Sequence, residues 1–326
     1  MRLNSLLPLR LATTAAFLLT TPALFAQDGT TAGEAVDDAA ETAERSLTEE
    51  EPYVNGSRIT GTGSSYRNAS ASKYIVRPIT APNYSEDPYI TTDVRGTYVN
   101  HQFPKNGTLN AGAARVYDFQ GRYAVNEDLQ VMVSKLGAAD VHLAGPHEFG
   151  LTDVALGVKY SLLSDWKSGM HAAVGAGYEL AVGDDDTFGD DSEFRIFGAY
   201  GQNFESINFS ASVNAIFATG SEDLGGDSDS LFVNLHVDYL LNEMFSPVVE
   251  LNYFKTLSNG DNVSPFGGVD LANLGGNEDE DVMTVGLGGE LRIIEDVAMR
   301  LTYESPLTDN NDLFGYRWTA SAVWTF

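Results

Sequence analysis

The chain has 326 residues, a formal net charge of −27 from 46 acids against 19 Lys and Arg, and no cysteine. An acid excess of that size argues against nucleic acid as a partner, because phosphate binding needs clustered Lys and Arg. The lack of cysteine removes disulfide staples and thiolate metal sites, so stability has to come from closure of the fold itself.

Arg2 and Arg10 flank the start of an apolar stretch, Leu11 to Ala26, and no acid precedes Asp28. Residues 1–26 therefore read as a secretory signal peptide with cleavage after Ala26. The apolar run falls short of the roughly 20 residues of a spanning helix. No later segment is long and apolar enough to replace it, so any membrane crossing has to be made by strands. Loss of the signal would take the charge from −27 to −29, since it carries two arginines and no acids. Residues 27–51 hold nine acids against Arg45 alone, in a stretch rich in Ala and Thr, and read as an acidic disordered tail. Residues 52–88 read as a periplasmic linker, or as a plug in which the basic Gly-, Ser- and Tyr-containing piece from Arg58 to Pro82 folds back into an acidic lumen. The stretch Glu51 to Ile59 is faintly similar to the N-terminal box of energy-coupled receptors, but the chain is far too short for the 22 strands of those barrels.

From residue 89 onward, short polar turns divide the chain. Their markers Asp128, Asp165, Glu205, Glu243 and Asp296 follow one another at intervals of 37, 40, 38 and 53 residues, the last widened by a Gly- and Asn-rich insertion from Asn259 to Gly276. Each interval holds a strand of about ten residues out, a loop, and a strand back, which is the hairpin period of a tilted membrane barrel. Strands are expected near 91–102, 113–125, 129–137, 151–163, 169–182, 193–203, 208–219, 231–241, 246–257, 282–293, 297–306 and 314–326. The fold class is thus all-β: a closed antiparallel transmembrane β-barrel of about 12 strands over residues 89–326, an even count as bacterial single-chain barrels require. The short turns face the periplasm. The acidic runs, Asp184–Asp186 with Asp190 and Asp191, Glu222 and Asp223 with Asp227 and Asp229, Glu278–Asp281, and Asp309 with Asp312, fall in outward loops. A soluble β-sandwich or jelly roll accounts for neither the turn-loop asymmetry nor the terminal aromatic.

Successive side chains of a strand take opposite faces. Val174, Tyr178 and Leu180 alternate with Gly175, Gly177 and Glu179; Leu235, Val237 and Tyr239 alternate with His236 and Asp238; Met299, Leu301 and Tyr303 alternate with Arg300, Thr302 and Glu304. The polar face is charged and balanced, and its expected lumen-lining residues are Arg95, Asp118, Arg122, Lys159, Glu179, Arg195, Asp238, Glu250, Glu290, Arg292, Arg300, Glu304 and Arg317. The last strand sets Phe314, Tyr316, Trp318, Ala320, Ala322, Trp324 and Phe326 on one face. Tyr316, Trp318, Trp324 and Phe326 are the aromatic girdle and the C-terminal signal read by the barrel-assembly machinery. Eight strands leave a filled core and 16 to 18 an aqueous channel, so a twelve-stranded interior is either a mixed-charge pore or a lumen filled by its own paired charges.

The stretch Gly150-Leu-Thr-Asp153-Val-Ala-Leu-Gly157-Val-Lys159-Tyr160, followed by Gly175-Ala-Gly177-Tyr178-Glu179-Leu180 and Gly183-Asp184, with Gln120-Gly121-Arg122-Tyr123-Ala-Val125 before it, resembles the outer-membrane β-barrel transporter family named for the meta-pathway of phenol degradation. The strand pattern matches over most of residues 90–326, the specific motif only from Gly150 to Asp184. Ala181-Val182 stand where that family tends to carry a proline. The resemblance implies a transporter of small solutes, aromatic or hydrophobic ones among them.

No enzyme is expected. None of His101, His142, His147, His171 and His236 pairs outward with a serine, and there is neither a Gly-x-Ser-x-Gly elbow nor a His-Glu-x-x-His helix. Cofactors: none. Metal ligands: none, since the acidic residues from Asp184 to Glu193 lack the spacing of an EF-hand loop. The reading is an outer-membrane channel or facilitator for passive passage of small solutes in a Gram-negative-type bacterium. Its partners are outer-membrane lipid, the barrel-assembly machinery and the solutes. The alternative is a structural or surface-interaction barrel with a filled lumen and acidic, cation-binding outer loops.

Overall fold

The computed structural model describes residues 75–105, 112–142, 147–184, 192–204, 206–219, 228–260, 268–276, 281–309 and 313–326. The expected signal peptide, acidic tail and residues 52–74 lie outside the described residues, as do acidic positions 185–191, 222–227, 278–280 and 312. The described strands are β1 (Asp93–Gln102), β2 (Ala113–Ala124), β3 (Leu129–Lys135), β4 (Gly137–His142), β5 (His147–Leu151), β6 (Val154–Asp165), β7 (Met170–Leu180), β8 (Glu193–Phe204), β9 (Ile207–Ala218), β10 (Asp229–Tyr239), β11 (Phe245–Ser258), β12 (Gly268–Val269), β13 (Ala272–Asn273), β14 (Asp281–Ile294), β15 (Val297–Pro306) and β16 (Tyr316–Thr325).

Antiparallel neighbours run from β1 through β2, β3, β6, β7, β8, β9, β10, β11, β14 and β15 to β16, and β16 pairs back onto β1 from Asp93↔Thr325 to Gln102↔Tyr316. The sheet is therefore a closed twelve-stranded barrel with no free edge in the ring. The third strand position is split. β3 pairs with Gly121–Ala124 of β2 and β4 continues along Ala113–Asp118 of the same strand. Between them Leu136 leaves the regular ladder: its N–H donates to Asp118 Oδ1 at 2.8 Å, and its carbonyl accepts from the Phe119 N–H at 2.9 Å. This bulge-like break lets β4 turn away from β6 and pair instead with β5. The resulting β4–β5 hairpin stands beyond the ring on the loop side. The single strand expected at 151–163 is accordingly two, β5 and β6, separated at Thr152 and Asp153.

The ring is inverted relative to a water-soluble protein. Phe194, Ile196 and Tyr200 of β8, Leu235, Val237 and Tyr239 of β10, and Met299, Leu301 and Tyr303 of β15 are exposed on the outside, whereas Arg195, Asn234, His236, Asp238, Arg300 and Glu304 between them are buried. A soluble sandwich would bury the first set and hydrate the second. Only a lipid exterior makes the observed arrangement favourable, and ring closure is what satisfies the backbone there.

Two features of the interior differ from the alternation pattern. Phe314, expected beside Tyr316 on the lipid face, is fully buried inside the barrel. It precedes β16, packs against His101 at a centroid distance of 4.9 Å, and lies 4.9 Å beneath the Arg317 guanidinium. The interior is also not charged throughout. At the loop end Val99, Phe103, Val116, Ile216, Phe232, Phe254, Leu313 and Phe314 form an apolar layer.

At Gly175, on the inward face of β7, the ring of Phe197 takes the place a side chain would fill. A Cβ there would come within 2.1 Å of the Phe197 ring and 2.5 Å of the Val158 carbonyl oxygen. Gly175→Ala is expected to destabilise the barrel by about 1–3 kcal/mol, read as a lower midpoint of urea unfolding in detergent, whereas alanine at Gly198, which has open space around it, is expected to change the midpoint little.

Candidate functional site: a lumen closed by two chain segments

Residues 75–91 form no strand and run inside the barrel as a hairpin-shaped strap. Ile75 packs with Tyr89 and Trp166 at the short-turn end, where the rings of Tyr89, Trp166 and His171 meet at 4.3–5.8 Å. The strap climbs from there to a turn at Ala81, whose carbonyl accepts from the N–H groups of Tyr84 and Ser85 at 3.1 and 2.8 Å. Ala81 has a φ of 47°, a left-handed conformation that a non-glycine residue adopts only when its surroundings hold it. The strap then descends to Tyr89, whose hydroxyl donates to Asn208 Oδ1 at 3.0 Å, and leads into β1.

Charge holds the strap on one side and backbone amides hold it on the other. Arg122 of β2 contacts Asp87 at 2.7 Å, Lys159 of β6 contacts Asp87 at 3.2 Å, and Arg195 of β8 contacts Glu86 at 3.0 Å. Arg77 of the strap pairs with Asp93 at 2.6 Å where β1 begins. Facing β10 and β11, the N–H of Val76 donates to Asp238 at 2.9 Å, and those of Ile79 and Thr80 donate to the two oxygens of Glu250 at 2.8 and 2.7 Å. The Thr80 hydroxyl also donates to Glu250, and His236 Nδ1 lies 2.7 Å from it. The described strap thus brings acids to a basic wall and amides to an acidic wall. Burial by itself pushes the Asp87 carboxyl up, but Lys159 and then Arg122 and Arg77 outweigh it and hold the group well below the usual carboxylate range.

A second segment closes the lumen from the loop end. The β12–β13 hairpin, between β11 and β14, dips inward. Asp270 at its tip accepts from Arg317 at 2.5 Å, and Arg317 donates in turn to Glu304 at 2.7 and 2.9 Å. Glu304 also accepts from Thr284 and Asn252. Val269 and Leu271 join the apolar layer together with Ala81 and Tyr84 of the strap. The two segments touch where Asn83 Nδ2 donates to the Asp270 carbonyl at 2.9 Å.

The structure places the thirteen residues of the polar face as follows. Arg122, Lys159, Arg195, Asp238 and Glu250 hold the strap, and Arg95 reaches its Pro78 carbonyl at 3.4 Å. Arg317 and Glu304 hold the inward loop. Glu290 bridges Arg292 and Arg300 at 3.0 and 2.8 Å along the wall of β14 and β15. Asp118 caps the break at Leu136, and Glu179 pairs with Lys135. All but Glu179 are less than a tenth exposed. Tyr316, Trp318, Trp324 and Phe326 are exposed on the outside. Glu86, Asp87, Arg77, Asp270, Lys135 and His236 complete these networks without having been singled out by sequence. Arg77, Glu86 and Asp87 fall within residues 52–88, read as a linker or plug, and Asp270 within the Gly- and Asn-rich insertion from Asn259 to Gly276. Lys135 and His236 carried a polar-face signal that the charge inventory passed over.

One stretch of wall keeps polar atoms that the strap does not satisfy. Arg95 Nη2 and Thr97 Oγ1 of β1, Arg300 Nη1 and Thr302 Oγ1 of β15, and Thr319 Oγ1 and Ser321 Oγ of β16 are buried without a hydrogen bond to any described residue. Register aligns them: Ser321 pairs with both Thr97 and Arg300, and Thr319 pairs with Thr302. Buried polar groups of this kind are normally satisfied by water or an ion, so this stripe is the polar lane of the lumen.

No protein-family model and no curated protein matches the chain. Among solved structures it is similar to the NanC porin (TM-score 0.47, 11% identity, 72% of this chain and 99% of that one). It is similar also to the KdgM porin (0.45, 9%, 72% and 99%) and to the translocator domain of the autotransporter NalP from Neisseria meningitidis (0.44, 9%, 90% and 98%). At these identities and scores the likenesses assign neither solute nor activity, and the barrel rests on its own strand pairing.

Two outcomes follow from these networks. Arg317→Met leaves Glu304 and Asp270 buried without their cation and is expected to cost about 3–5 kcal/mol, measured by urea unfolding in detergent. Because the Asp87 pKa is depressed in the fold, its contribution is present above the ordinary carboxylate value of about 3.9 and is lost as pH falls below it. Pepsin is therefore expected to begin cutting within residues 75–91 only below about pH 4 in the native chain, and already at pH 5 in Asp87→Asn.

Proposed function

We propose that the protein is an outer-membrane channel for small solutes, closed at rest by the strap of residues 75–91 and the β12–β13 hairpin, and opened when the strap leaves its charge pairs. The observation that carries this reading is the way the strap is held. It adds no strand to the sheet, and its polar anchors are ion pairs and side-chain hydrogen bonds, beside apolar contacts of Ile75, Val76, Ile79, Ala81 and Tyr84. Buried ion pairs specify position strongly but stabilise little on balance, because their attraction is largely offset by desolvation. A segment held this way is well placed and displaceable.

The lane of Arg95, Thr97, Arg300, Thr302, Thr319 and Ser321 offers a route beside the strap. The phenylalanine layer at the loop end suits aromatic or hydrophobic solutes, the class that the resemblance of Gly150 to Asp184 implies. With short turns toward the periplasm and loops outward, the strap enters from the periplasmic side. Export through residues 1–26 and assembly through the strand ending at Phe326 belong to the same reading. The alternative, a structural barrel with a permanently filled lumen, is favoured by the apolar packing of the strap: Ala81 and Tyr84 on the loop-end layer, Ile75 and Tyr89 on Trp166, and Val76 and Ile79 on Val248.

Planar-bilayer recording separates the two. The chain has no native cysteine, and Thr80 Oγ1 lies 2.8 Å from Asn252 Nδ2. A Thr80→Cys/Asn252→Cys pair bridged by a short bis-thiosulfonate crosslinker, which joins both thiols through reducible disulfides, therefore ties the strap to the wall. Discrete conductance that disappears on bridging and returns on reduction is expected. Equal silence before bridging, after bridging and after deletion of residues 27–88 from a folded barrel would assign the filled reading.

A further inference from the structure

The β4–β5 hairpin carries a cluster that the channel does not use. Asp140 and His142 lie on the outward face of β4, and His147 pairs directly opposite His142 across the hairpin. His147 Nε2 is 2.7 Å and His142 Nε2 3.0 Å from the same oxygen, Asp140 Oδ1. The two imidazoles are stacked, with centroids 3.9 Å apart and planes at 18°, so both ring nitrogens point to one place. His142 Nε2 is buried and makes no aligned hydrogen bond there. The second Asp140 oxygen is held 3.2 Å from Arg115 of β2, which orients the carboxylate. Among the described residues this is the group whose ligand atoms converge, all lying within 4.8 Å of one another.

We propose that Asp140, His142 and His147 form a surface site for a divalent transition-metal ion of the Zn²⁺ or Cu²⁺ class. Two ligand atoms bonded at about 2.1 Å to one tetrahedral metal are about 3.4 Å apart, so each imidazole nitrogen has to draw back from the carboxylate by less than about 1 Å to admit an ion. Two imidazoles with one carboxylate select a borderline ion over Ca²⁺ or Mg²⁺, which take all-oxygen sets. Arg115 supplies the orienting contact that metal-ligating carboxylates receive from their surroundings. The site joins the two strands of a hairpin that lies outside the barrel ring, so an ion bound there ties β4 to β5 without entering the lumen.

The test uses the full mature chain in detergent micelles, with folding checked by its heat-shifted band on an SDS gel. Zn²⁺ titration by calorimetry is expected to show one high-affinity ion per chain that excess Ca²⁺ does not displace. Binding should weaken at least tenfold in His142→Gln or His147→Gln and be lost in the double variant. Cu²⁺ electron paramagnetic resonance should show nitrogen couplings that vanish in the same double variant. His101, His171 and His236 are buried in the barrel and stay unchanged in every variant. Absence of Zn²⁺ binding, an affinity unchanged in the double variant, or ready displacement by Ca²⁺ would overturn the proposal, the last two by assigning the ion to the acidic loops.

Discussion

The barrel depends on a single constraint: every charge turned inward and covered by the strap or the inward loop has to find a counter-charge or a hydrogen-bond donor there. Closing a sheet in a membrane forces apolar side chains outward and leaves the polar half of each strand facing the lumen. Twelve strands lie between the filled eight-stranded barrel and the open sixteen-stranded one, and the wall compensates only part of its charge itself, through Glu290 with Arg292 and Arg300, Lys135 with Glu179, and Arg317 with Glu304. The strap and the inward loop answer that need. Asp87 and Glu86 meet Arg122, Lys159 and Arg195, the strap's amides meet Asp238 and Glu250, and Asp270 meets Arg317. With the strap and the inward loop in place these groups are covered but paired, which avoids the far larger cost of a buried charge without a partner.

The same constraint explains why the interior is layered. Near the short turns the strap is flanked by its own chain and by close wall charges, and ion pairs dominate. At the loop end, where the β12–β13 hairpin meets Ala81 and Tyr84, the wall turns apolar and Phe232, Phe254 and Phe314 pack ring against ring. An apolar seal needs no counter-charge and excludes water from the Arg317–Asp270 pair beneath it. The polar lane on β1, β15 and β16 is the part of the wall where the strap's hydrogen bonding is limited to Arg95, through the Pro78 carbonyl.

Much of this was legible in the sequence because two-residue periodicity reports directly on faces. Leu235, Val237 and Tyr239 against His236 and Asp238 put the wall in place, and the short turns put the strands in order. What stayed hidden shares one physical cause: it depends on contacts between residues far apart in the chain and outside regular strands. Asp87 sits 72 positions from Lys159, and no local pattern distinguishes a strap from a linker when both are polar and rich in turn residues. Phe314 continued the alternation of β16 on paper, yet the strand begins only at Tyr316, so parity did not apply to it. His142 and His147 looked unrelated because their pairing requires knowing that the chain reverses between them.

The account stands on residues 75–91 being held inside the barrel by wall carboxylates and cations. Amide hydrogen exchange of that segment in the folded protein at neutral pH tests this most directly. The N–H groups of Val76, Ile79 and Thr80 are predicted to exchange slowly, on the scale of strand amides, and to lose that protection when Glu250 or Asp238 is replaced by its amide. Exchange of these amides at the rate of an unstructured chain in the unaltered protein would contradict the account.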